Sequence, residues 1–131
     1  MAETQREPEL HLLADIDPLI HAPARLMVLT YLYVVESVDY VFLMRLTGLT
    51  WGNLSTHLAR LEEAGYVAIE KEFRGKKPHS MIHLTDSGRE AFRAYKTNLQ
   101  QVLDGLPDEP GLAHPSPGPI PVTPGAVSVR P

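Results

Sequence analysis

Thr50-Trp51-Gly52-Asn53-Leu54-Ser55-Thr56-His57-Leu58-Ala59-Arg60-Leu61-Glu62-Glu63-Ala64-Gly65 reads as one amphipathic helix with its own start and stop. Thr50 is an N-cap candidate whose hydroxyl can accept from an orphan first-turn amide, and Gly65 can take the left-handed conformation that ends a helix. Leu54, Leu58 and Leu61 recur at helical spacing and form a narrow apolar stripe. At about 100° per residue, Gly52, Asn53, Thr56, Ala59, Arg60 and Glu63 fall away from that stripe, with Trp51 and Ser55 on its shoulder. The outward face is short, polar and carries a cation. Asn pairs with adenine, Ser and Thr reach bases or phosphates, and Arg pairs with guanine or phosphate. Taken alone, the same face also fits an ordinary solvated helix.

The neighbours decide between these. Upstream, Tyr40, Leu43 and Leu46 keep helical spacing, although Tyr40 to Met44 is apolar at every position and short enough for a strand. With Thr47-Gly48-Leu49 as the turn, this helix and the one after Thr50 make a helix-turn-helix. Before it, Ala24 to Glu36 is expected as a central core helix opened by Pro23, covered over most of its circumference. Ser37 to Asp39 is a break able to pair as a short extended piece with later strands. Glu9 to Ile16 suggests a short helix with Leu10 and Leu13 on its apolar side.

Downstream, Tyr66 to Phe73 alternates as a strand with Val67, Ile69 and Phe73 on one side. Arg74-Gly75-Lys76-Lys77-Pro78 reads as a turn, and His79 to Thr85 as a second strand with Ile82 and Leu84 inward. The result is a hairpin with a stiff cationic tip, suited to lie beside a minor groove. Thr85 or Asp86 then caps a helix running to about Leu103. Its Phe92, Tyr95, Leu99, Val102 and Leu106 form a heptad-like seam. That seam outruns the hairpin, so its expected partner is a second copy, with Leu10, Leu13, Phe92, Tyr95, Leu99 and Val102 at a homodimer interface. Intramolecular pairing of the first and last helices is the competing view.

Prolines 107, 110, 115, 117, 119, 121, 124 and 131 make residues 106–131 a proline-rich tail expected to be disordered, and residues 1–8 are expected to be loose. The domain is thus expected over residues 9–105. At 131 residues and 44% apolar content the chain has room for one such core. No run approaches a membrane span, the polar start is no secretory signal, and the absence of cysteine fits a reducing cytoplasm.

The formal net charge is −4, but its distribution matters more than its sum. Residues 71–96 set Lys71, Arg74, Lys76, Lys77, Arg89, Arg93 and Lys96 against Glu72, Asp86 and Glu90, a local excess of four positive charges. Screening within about 8–10 Å lets such a patch bind phosphates on an acidic molecule. Catalysis is not expected, because no nucleophile, base and pocket constellation is apparent. No metal or other cofactor is expected either. His79 and His83 have helical metal spacing, but on a strand they stand about 13 Å apart.

Leu19-Ile20-His21-Ala22-Pro23-Ala24-Arg25-Leu26, Leu46 to Leu58, Leu61-Glu62-Glu63-Ala64-Gly65-Tyr66-Val67 and Leu84-Thr85-Asp86-Ser87-Gly88-Arg89 together resemble small bacterial and archaeal winged-helix transcriptional regulators, similar to the MarR and ArsR groups. The resemblance covers about residues 17–103. It implies a mainly α fold with a small β-hairpin, a winged helix-turn-helix whose N- and C-terminal helices form the dimer interface. It also implies a homodimeric regulator of double-stranded DNA, with Thr50, Trp51, Asn53, Ser55, Thr56 and Arg60 facing the major groove and Arg74, Lys76 and Lys77 as the wing. Trp51 departs from the pattern, where a small polar residue is usual: it contacts a thymine methyl or sugar, or packs onto Leu54 and the preceding turn, the preferred outcome. His57, beside the apolar stripe, is expected to be bonded and partly buried. A dimer cleft leaves room for an unidentified small-molecule effector, and the rival function is a winged helix used for protein contacts with no operator.

Overall fold

A computed structural model of the chain describes residues 10–111, with Leu10 as backbone only. The expected loose start and nearly all of the proline-rich tail lie outside the described residues. The described chain divides into two compact units, residues 17–96 and residues 10–16 with 97–111.

The larger unit opens with α1 (Pro23–Val34), whose first turn carries Pro23 where no intrahelical amide bond is lost. Val28, Leu29 and Leu32 are its buried residues. Where cover over most of its circumference was expected, Met27 is 43% and Val34 74% exposed. Met27, Thr30, Tyr31, Val34 and Leu46 line an open apolar depression of about 370 Å³. Three-residue spacing identified the helix but not how many sides would meet a neighbour.

β1 (Val38–Asp39) is the extended piece expected after α1, and it pairs antiparallel with β3 through Val38↔Ile82 and Asp39↔Met81. It stops after two residues because Asp39 turns the chain into α2 (Tyr40–Thr47), its carboxylate accepting from the Val41 amide at 2.6 Å and the Phe42 amide at 3.4 Å. Gly48, at φ 71°, ends α2 with its N–H on the Met44 carbonyl. Thr50 caps α3 (Trp51–Glu63) by accepting from the Asn53 amide at 3.2 Å. Gly65, at φ 82°, releases the chain from α3 into β2 (Val67–Arg74).

β2 and β3 (Lys77–Leu84) pair along their whole length, and the sheet order is β1-β3-β2. The hairpin turn is tighter than expected: only Gly75 and Lys76 lie between Arg74 and Lys77, and Lys77 and Pro78 belong to β3. A proline fits there because the pair next to a two-residue turn is the hydrogen-bonded one, so Phe73↔Pro78 is a non-bonded pair. Its missing N–H would point away from β2, and β1 does not reach that far.

α4 (Asp86–Asp104) starts at Thr85, whose hydroxyl accepts from the Gly88 amide at 2.9 Å. The core of the larger unit gathers Ile20, Leu29, Leu32, Leu43, Leu54, Leu58, Leu61 and Ile82, all essentially without solvent contact. At about 25 cal/mol per Å² of apolar surface removed from water, this cluster supplies the main favourable term holding α3 to the rest.

In the smaller unit, the short helix expected over residues 9–16 is a 3₁₀ helix, Leu10–Asp15, closed by the Ile16 amide on the Leu13 carbonyl at 3.2 Å. Six residues are too few to recover the cost of an α-helical nucleus. Ile16 and Val102 are the unit's buried apolar residues among those described.

Candidate nucleic-acid interface

The leucine stripe of α3 is fully buried, and this turns the opposite face outward. Thr50, Trp51, Gly52, Asn53, Thr56 and Arg60 are exposed along that face. Their side chains are not equally available. The Thr50 hydroxyl is engaged by the Asn53 amide, and Thr56 donates to the Gly52 carbonyl at 3.0 Å, which leaves each an unused bonding capacity. Asn53 and Arg60 make no side-chain hydrogen bond among the described residues, so their polar ends are available to a ligand.

Ser55 is different. It is half-buried and shares a hydrogen bond of 2.5 Å with the Tyr40 hydroxyl, which also donates to the Trp51 carbonyl at 2.8 Å. Ser55 thus ties α3 to α2 from inside the shoulder of the helix. Trp51 does pack, onto Tyr40 of the preceding helix: the ring centroids are 4.2 Å apart, and the indole remains 59% exposed. Tyr40 is the anchor of α3 that the sequence did not reveal, since its partners lie eleven and fifteen positions away and no periodicity links them.

His57 is half-buried and bonded, as expected. Arg25 donates to its Nδ1 at 2.9 Å, and since a guanidinium has no acceptor, the imidazole proton sits on Nε2. Burial of the ring, with the positive charges of Arg25 and Arg60, holds its pKa below the usual histidine range. The ring therefore stays neutral and links α1 to α3.

At the hairpin tip Arg74, Lys76 and Lys77 are all exposed, and Gly75 turns the chain at φ 67°. Phe73, expected to share the inward side with Val67, is 70% exposed, because the hairpin has run past the core by that rung. His79 bonds Asp39 at 3.0 Å, and His83 lies 3.9 Å from Glu70, so the two histidines have separate partners. For Asp39, burial works to raise the pKa, but the His79 bond and the Val41 and Phe42 amides outweigh it, and the net shift is downward. The carboxylate joins the hairpin to the start of α2.

A helix face of small polar side chains beside a cationic hairpin tip agrees with what comparison with known proteins finds. The family model described as winged helix DNA-binding domain matches residues 24–103. The chain belongs to that family. A protein of Methanocaldococcus jannaschii, itself uncharacterized, is 32% identical to this winged-helix chain over 88 residues, covering 67% of this chain and 96% of its own. A transcriptional regulator homologue from Pyrococcus horikoshii superposes with a TM-score of 0.68 at 27% identity, over 72% of this chain and 96% of that one. The transcriptional repressor CouR, solved on a 23-mer DNA duplex, gives 0.60 at 23% identity over 72% of this chain and 65% of its own, a likeness of fold.

The winged-helix domain uses much of the seam expected for a second copy within its own chain. Phe92 and Tyr95 are buried, Phe92 against Tyr33 at a centroid distance of 5.1 Å, while the Tyr95 hydroxyl bonds His21 at 2.8 Å. Val102 is buried and Leu99 half-buried. Residues 10–16 and 97–111 fall in one compact unit of the described chain. Of the expected interface residues Leu13 is 46% exposed, and two neighbours on the same unit, Leu103 and Leu106, are 56% and 43% exposed. Among the described residues no helix is long and apolar enough to cross a membrane, and no group of three metal-binding side chains gathers.

Proposed function

We propose that the protein is a homodimeric, sequence-specific regulator of transcription, most simply a repressor, in which α3 of each copy enters a major groove and the hairpin tip lies on the flanking minor groove or backbone. The observation that carries this is the split character of α3: fully buried leucines on one side, and exposed Asn53, Thr56 and Arg60 on the other. Asn53 and Arg60 are assigned to base edges. Thr50 and Thr56 have the reach and remaining capacity for phosphates or bases, and Arg74, Lys76 and Lys77 are assigned to phosphates. Leu13, Leu103 and Leu106, with part of Leu99, supply the surface for the second copy. A twofold operator then follows from the symmetry of the dimer.

A specific observation also favours a contact with protein: the open apolar depression along α1 and α2, where Leu46 is exposed beside Met27 and Val34 and Phe42 lies against Tyr31 of the same lining. One experiment separates the two. Duplexes are selected from a random library by the purified chain, and the enriched duplex is titrated at several salt concentrations. The operator function gives log K falling linearly with log salt, by about 0.9 per neutralised phosphate. No duplex binding at low salt overturns it and leaves the protein contact.

A further inference from the structure

Trp51 is the single tryptophan of the chain, and it stands at the first residue of α3 with most of its ring in water. It is nevertheless held. Tyr40 backs one face at 4.2 Å, with 36° between the planes, and Tyr40 is itself buried and anchored to the Trp51 carbonyl. Little side-chain freedom remains to be lost when the other face meets a ligand.

The surroundings narrow what that ligand is. Trp51 borders a shallow cavity of about 230 Å³ that also draws on Asp39, Tyr40, Val41, Lys71, Pro78, His79 and Ser80, the Asp39 carboxylate being held by His79. Along α3 its exposed companions are Thr50, Asn53, Thr56 and Arg60, all polar. The indole is therefore the main exposed apolar plane at this cavity, with Val41 and Pro78 beside it and Asp39, Lys71, His79 and Ser80 making the rest of the lining polar, and not part of a broad apolar patch of the kind that marks a protein contact. A DNA major groove has the complementary pattern: polar base edges and phosphates, with one apolar group, the C5-methyl of thymine. Lys71, across the cavity, suits the adjacent phosphate.

We infer that Trp51 reads a pyrimidine C5-methyl group, so that each operator half-site carries a thymine at the position facing the start of α3. This rests on the placement of α3 proposed above. Tyr40 is the positioning residue that holds the indole for that contact.

The test uses the full chain and the duplex enriched from the random library, resynthesised with one thymidine at a time replaced by deoxyuridine, which removes only the methyl. One position per half-site should weaken binding about fourfold, the value of one buried methyl group. The Trp51→Ala chain should bind both versions alike. Tyr40→Phe, which keeps the ring and loses the anchor, should reduce the discrimination while leaving the salt slope unchanged. The emission of Trp51 should be quenched more by the thymidine duplex than by the deoxyuridine one. If no deoxyuridine position weakens wild-type binding, or if wild type and Trp51→Ala respond alike at every position, the inference is overturned. A normal salt slope with indifference to methyls overturns it alone. Absence of duplex binding at low salt overturns the operator function together with it.

Discussion

Gly88 and Gly52 both sit near the start of a helix, and replacing each by alanine should have unlike effects: a loss of stability at Gly88 and none at Gly52. A Cβ on Gly88 would overlap the Tyr66 carbonyl oxygen and lie 2.8 Å from its carbon and 2.9 Å from Leu84 Cδ1. The obstacle is backbone, so no rotamer relieves it. That carbonyl accepts from the Thr85 amide at 3.0 Å, and the Thr85 hydroxyl bonds the Gly65 carbonyl at 2.5 Å and the Gly88 amide at 2.9 Å. Pushing α4 off this junction combines an overpacking cost of about 1–3 kcal/mol with the weakening of bonds worth about 1 kcal/mol each. Alanine's better helix propensity returns about 1 kcal/mol. Gly88→Ala should therefore cost about 2–4 kcal/mol, which lowers Tm by roughly 10–20 °C in a domain of this size.

A Cβ on Gly52 meets nothing within 4 Å. Gly52→Ala should be neutral to about 1 kcal/mol more stable. Urea unfolding followed by circular dichroism, at one protein concentration, measures both, and an unchanged m value assigns the difference to stability. A Gly88→Ala chain within about 0.5 kcal/mol of wild type, the range of a neutral surface change, would refute the reasoning. So would equal losses at the two glycines.

Lys76→Ala with Lys77→Ala should weaken all duplexes alike and lower the salt slope by about 1.8, two contacts at about 0.9 each, in a filter or anisotropy titration. Asn53→Ala should keep the slope and relax discrimination at one base position by about 1–3 kcal/mol; identical behaviour of the two variants would contradict the assigned division. Leu103→Glu should give the mass of a single chain in sedimentation, and an unchanged mass would reject that surface as the interface. Tyr66 donates to Asp17 at 2.6 Å, and that bond, burial and the Asp17 charge push its pKa up to about 12 from the ordinary 10.0. The folded chain keeps this proton where the unfolded chain loses it, so its stabilising contribution is complete below pH 10 and is lost as pH rises toward 12. Tyr66→Phe should flatten that alkaline decline in melts taken across the window, and an equally steep decline would exclude Tyr66 as its source.

The parts of the fold readable from sequence were those set by neighbours a few residues apart. Thr50, the leucine stripe and Gly65 define α3 through a cap, a period and a stop, and the structure keeps all three. The Ser37–Asp39 break appears as β1, and its end is explained by Asp39 capping α2. What escaped was depth and distance. Alternation put Phe73 on the side of Val67, but only the length of the hairpin relative to the core decides that one is exposed and the other buried. Pro78 read as a turn because a proline weakens a strand, yet it occupies a rung where no amide is required. Ser55 looked like a groove-facing hydroxyl, and only the tertiary position of Tyr40 shows that it is engaged.

The outer hairpin has a mechanical consequence. The two outermost rungs, Phe73↔Pro78 and Arg74↔Lys77, are exposed on both strands, so no buried apolar residue backs them. The arm is a cantilever, clamped at Val67 and Ile82 and bare along its outer span. Rungs of this kind open at far lower free energy than the clamp and exchange their amide hydrogens sooner. In the proposed function, such an arm would bend to fit grooves of differing width and stiffen only once a phosphate wall stood beside it, grasping many sequences while the helix chose among them.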